Sequence, residues 1–110
     1  MPKPDKLDIL KYIYENANAR GEFSWVPSSD IYREFFPYYS KREIAKMLKE
    51  LRDEGYAVMS RYALRHWEAY GRWYAPIRDT GYKATVAFFR HPGYRVTERG
   101  EELLRRAGKI

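Results

Sequence analysis

The stretch from Pro37 to Glu43 leaves little freedom in what can surround it. Ser40, Lys41, Arg42 and Glu43 spell S-x-x-E, the capping box in which a serine hydroxyl and a glutamate carboxylate satisfy backbone N–H groups reciprocally at the start of a helix. The helix so opened runs to about Glu54, where Gly55 supplies a left-handed residue to end it. Tyr39, one position before the cap, is placed to pack on Ile44 as a hydrophobic staple. On the other side, Pro37 stops a preceding helix, which Ser28 or Ser29 caps and whose first turn holds Asp30. Its inward residues are Ile31 and Phe35, with Phe36 a further candidate. Only Pro37, Tyr38 and Tyr39 separate the two helices, and so short a turn sets helices at a steep angle, the helix-turn-helix spacing.

The flanking sequence divides readily. Leu7, Leu10, Ile13, Tyr14 and Ala17 recur at helical spacing, predicting a first helix from Asp5, its cap, to about Ala19, with Gly21 beyond its end. Phe23 to Val26 reads as a minor strand or extended linker closed by Pro27, and Tyr56 to Met59 as a strand leaving the third helix. Asp79, Thr80 and Gly81 form the clearest hairpin turn, flanked by strands over Arg72 to Ile77 and Tyr82 to Phe89. Tyr62 to Tyr70 fits a short helix about as well as an extended segment. After a break at His91, Pro92 and Gly93 comes a last strand, Tyr94 to Val96. Thr97 then caps a final helix with Glu98 and Glu101 in its first turn and Arg105, Arg106 and Lys109 in its last.

This order, with YRVTERGEELL at Tyr94 to Leu104 and Asp53, Glu54, Gly55, Tyr56 at the exit of the third helix, resembles the winged helix-turn-helix superfamily of small archaeal-type regulators. The resemblance covers the first helix to Met59 and Tyr94 to the end; the interval between is longer than an ordinary wing. It implies an α+β fold, one domain over residues 1–110, with an extended β-rich wing at about 60–93 between the third helix and the C-terminal one. It also implies binding to double-stranded DNA.

Composition narrows the alternatives. The 110 residues fit one domain, and 45% hydrophobic content is enough for a packed core. No cysteine is present, which removes disulfides, thiolate metal sites and cysteine nucleophiles. Glutamine is absent and asparagine occurs only at 16 and 18, a bias associated with proteins that work at high temperature. No apolar run approaches the roughly 20 residues of a membrane span, and the polar start does not resemble a secretory signal, so a cytoplasmic location is expected. His66 and His91 are the only histidines and neither belongs to a ligand-spaced cluster. With no Gly-rich phosphate loop, serine elbow or paired-carboxylate signature, we expect no metal, cofactor or small-molecule ligand, and no enzyme.

Charge supplies the functional signal. The net charge is +6, and seven cations against two anions lie between Tyr56 and Arg95, so most of the excess falls on the enlarged wing. On the third helix, Ile44, Met47, Leu48 and Leu51 form the buried stripe and Arg42, Lys46, Lys49 and Asp53 the opposite one. A helix in the major groove reads bases from its first turns, so Lys41, Arg42, Ala45 and Lys46 are candidate base contacts, with Ser40 at the cap and Lys49 further along. The backbone amides of that helix start are a candidate phosphate seat. Arg72, Arg78 and Lys83, around the hairpin tip, are candidate phosphate or minor-groove contacts. The bland reading of the same helix is a solvated face. The wing's aromatics exceed what one wing can hide, which points to a homodimer. Two rivals stay open: an RNA-binding or ribosome-associated winged helix, in which the third helix would matter little, and a winged helix used for protein contacts.

Overall fold

The computed structural model describes residues 3–21, 24–60 and 92–110. Within them the chain forms four α-helices and a three-stranded antiparallel sheet, an α+β arrangement. Helix α1 (Lys6–Asn16) opens with a full capping box: the Asp8 amide donates to the Asp5 carboxylate at 3.0 Å, and the Asp5 amide donates to the Asp8 carboxylate at 2.8 Å. It stops at Asn16, short of the expected Ala19, and Asn18–Arg20 form a 3-10 turn. The side chain of Asn18 explains the early stop. Its amide donates to the Val96 carbonyl at 2.8 Å and its oxygen accepts the Val96 N–H at 2.9 Å. One side-chain amide thereby stands in for a strand residue along an open sheet edge.

Strand β1 (Val26–Pro27) runs directly into α2 (Ser28–Phe35). The expected serine cap is corrected here: Pro27 holds the cap position with no side-chain bond, and Ser28 is the first helical residue, buried, its N–H donating to the Pro92 carbonyl at 3.0 Å. Because Pro27 pairs with Gly93 in the sheet, the chain turns from strand to helix without room for a separate capping residue. Pro27 is tolerated because β1 is an edge strand. Phe36 does not point inward. The helix ends one residue earlier, and Phe36 stands 69% exposed in the turn that follows.

Helix α3 (Lys41–Asp53) has the predicted box, the Glu43 amide donating to Ser40 Oγ at 3.1 Å and the Ser40 amide to the Glu43 carboxylate at 2.9 Å. Its end is equally local: Gly55 takes φ +84°, its N–H meets the Arg52 carbonyl, and the Tyr56 N–H reaches back to Leu51. Strand β2 (Ala57–Ser60) then pairs antiparallel with β3 (Gly93–Val96), Ala57 opposite Val96 and Ser60 opposite Gly93, while β1 lies on the far side of β3. Thr97 caps α4 (Glu98–Arg106) through the Gly100 amide at 3.0 Å, and its hydroxyl donates to the Gly55 carbonyl at 2.6 Å.

Helix α1 packs on α2, α3, α4 and β3, placing the core around Ile9, Leu10, Ile13 and Ala17. Ile31 and Phe35 come from α2, Ile44, Leu48 and Leu51 from α3, Tyr94 and Val96 from β3, and Leu104 from α4. Distant segments are joined by two partly exposed ion pairs, Lys6 with Glu54 at 2.6 Å and Lys109 with Asp8 at 3.0 Å. No helix among the described residues is long and apolar enough to cross a membrane. The expected hairpin over Arg72 to Phe89, the segment Tyr62 to Tyr70, both histidines and the wing aromatics behind the homodimer expectation lie outside the described residues.

Candidate nucleic-acid interface

The capping box and the apolar stripe together fix which way α3 faces. With Ile44, Leu48 and Leu51 buried and Met47 half-buried, a rotation of 100° per residue leaves Lys41, Arg42, Ala45, Lys46 and Lys49 exposed. Arg42 and Lys46 are four residues apart and so stand one above the other on the outward side.

Across the rest of the described surface five basic side chains have an acid beside them, while Lys3, Lys11, Arg20 and Arg99 do not. Arg33 lies 3.4 Å from Asp30, Arg105 3.1 Å from Glu101 and Arg106 4.0 Å from Glu102, besides the pairs of Lys6 and Lys109. On α3 only Lys49 is matched, its Nζ 2.8 Å from Asp53, and that hydrogen bond holds the Asp53 carboxyl below the ordinary aspartate value. The pair is solvent-exposed and therefore contributes little to stability. Among the described residues no carboxylate lies within ion-pair distance of Lys41, Arg42 or Lys46. Lys41 instead sits 5.4 Å from the centre of the Tyr32 ring.

The start of α3 differs from a simple phosphate seat. Ser40 Oγ accepts the Glu43 amide, and the Glu43 carboxylate folds back onto the Ser40 N–H, a bond that holds this carboxyl below the usual glutamate range. A fixed negative charge therefore stands at the start of the helix. Side chains along the outward stripe, more than the helix end, are what a polyanion would meet.

Two arginines are spoken for structurally. Arg52 turns toward the sheet, its guanidinium 6.0 Å from the Tyr94 ring centre and 3.6 Å from Met59 Sδ. Arg95, counted among the wing's cations on sequence grounds, donates to the carbonyls of Gly21 at 2.8 Å and Ser24 at 2.5 Å and lies 5.9 Å from the Trp25 ring centre. Arg72, Arg78 and Lys83 lie outside the described residues. The cation that the sequence reading missed is Lys3, whose Nζ is 4.4 Å from the Tyr39 ring centre and whose charge reaches Glu43. Nothing local in the sequence marks it, because the contact spans the whole of α1 and α2. Among the described residues no cluster of three or more His, Cys, Asp or Glu side chains could hold a metal ion.

Compared with protein-family models, with curated proteins and with solved structures, the chain finds no match.

Proposed function

We propose that the chain is a winged helix-turn-helix protein that binds double-stranded DNA sequence-specifically, as a transcriptional regulator and not as an enzyme. In this reading α3 enters the major groove and the basic residues between β2 and β3 hold phosphates. The observation that carries it is the exposed pair Arg42 and Lys46, unmatched by any carboxylate among the described residues, on a helix whose opposite face is anchored in the core. The element order and the sheet order β1-β3-β2 are compatible with that fold. Arg42 has the planar fork that engages O6 and N7 of guanine together, while Lys46 is a point charge suited to phosphate.

Binding is measured for wild type, Arg42→Ala and Lys46→Ala on duplex DNA, duplex RNA and single strands at two salt concentrations. Arg42→Ala should relax the preference for one base pair by about 1–3 kcal/mol, and Lys46→Ala should weaken all duplexes alike and lower the salt slope by about 1. Unchanged base preference in Arg42→Ala would remove the groove-reading role. A second reading, contact with another protein, is favoured by the exposure of Phe36 and Tyr38 in the α2–α3 turn. It predicts no duplex binding even at low salt.

A further inference from the structure

The outward stripe of α3 has an acidic flank. At 100° per residue, Glu43, Glu50 and Glu54 fall on one side of Arg42 and Lys46, where a phosphate strand lying along the helix would be repelled. That flank is where Lys3, Pro4 and Lys6 lie. Lys6 bonds Glu54 at 2.6 Å, and its charge is further favoured by Glu50. Ahead of it, the Tyr39 hydroxyl donates to the Pro4 carbonyl, which ties the arm to the residue preceding the α3 cap. Lys3 is thereby held with its ammonium over the Tyr39 ring, exposed, and near Glu43. An ammonium placed on an aromatic face is positioned without being neutralised, so its charge remains available to an anion.

We propose that Lys3 is a phosphate contact for duplex DNA, held by the Tyr39–Pro4 hydrogen bond so that the backbone strand on the acidic side of α3 meets a cation. This rests on the reading of α3 as the helix presented to the groove. Tyr39 acts as a positioning residue, and the competing role for Lys3 is compensation of Glu43 alone.

The test measures the affinity of the full chain for a mixed-sequence DNA duplex about two helical turns long. Salt is titrated for wild type, Lys3→Ala, Tyr39→Phe, Glu43→Gln, the Lys3→Ala/Glu43→Gln pair and Arg42→Ala. Glutamine can serve the capping box, so Glu43→Gln keeps the helix start. The expected result is severalfold weaker binding by Lys3→Ala, with the slope of log K against log salt reduced by about 0.9, the value for one lost phosphate contact. The loss should persist in the Glu43→Gln background, and Tyr39→Phe should move the slope the same way by less. A slope untouched by Lys3→Ala, or a loss that vanishes once Glu43 is neutral, overturns the proposal. If Arg42→Ala shifts base preference across duplexes substituted at single base pairs while Lys3→Ala leaves the slope alone, only the arm contact falls. If wild type does not bind, both fall.

Discussion

Gly100 occupies a place where no side chain fits. A Cβ there would lie 2.2 Å from the Tyr56 carbonyl oxygen and 2.7 Å from a Val96 methyl carbon, so α4 begins pressed against the backbone leaving α3. This explains why the position three residues after the Thr97 cap, where a capping box would place glutamate, is glycine. Gly100→Ala should destabilise by about 1–3 kcal/mol through overpacking, read as a lower midpoint in denaturant with unchanged m. An unaltered midpoint would mean that α4 can slide away at no cost. Such single-residue constraints were not visible in the sequence, since they arise between segments far apart in the chain. Asn18 on Val96 and Arg95 on Gly21 and Ser24 are of the same kind, linking positions more than 70 residues apart.

At the level of elements, what the sequence revealed follows the range of the forces involved. The start and end of α3 depend on residues three to five apart, and both are where S-x-x-E and Gly55 predict them. The start of α2 depends on Pro92, and the serine expectation failed there. The capping boxes also set a pH limit. The Asp5 N–H, aided by Lys109, holds the Asp8 carboxyl below its ordinary 3.8, and the Ser40 N–H holds that of Glu43 below 4.5. Lowered folded values give a stabilisation present above those ordinary values and lost as pH falls through the lower folded ones. Melting followed by circular dichroism should therefore show Asp8→Asn and Glu43→Gln less stable than wild type near neutrality. The gap should close as pH falls through the lowered folded values, where the wild-type carboxyls are protonated too. A gap of constant size across that range would mean these carboxyls do not titrate with folding.

For the molecule as a whole, the outward set of α3 was legible because amphipathic periodicity alone decides it, whereas Lys3 lies near that surface through Tyr39, which bonds Pro4 and has the Lys3 ammonium over its ring. The antiparallel register places Ser60 directly opposite Gly93, so the 32 residues between them leave and rejoin the sheet at neighbouring points about 5 Å apart. Exchanging residues 61–91 for a short glycine–serine turn should keep the helical circular dichroism and cooperative melting, since the described helices and strands pack on one another around α1. It removes six cations and two anions, four of the six net positive charges, so on the proposed reading of the chain as a duplex binder the salt dependence should flatten sharply. Loss of cooperative melting would show that the segment is part of the folding unit. With Ser60 and Gly93 side by side, a turn of about two or three residues is long enough to rejoin the strands, so the length of this stretch can change without shifting the register on either side of it.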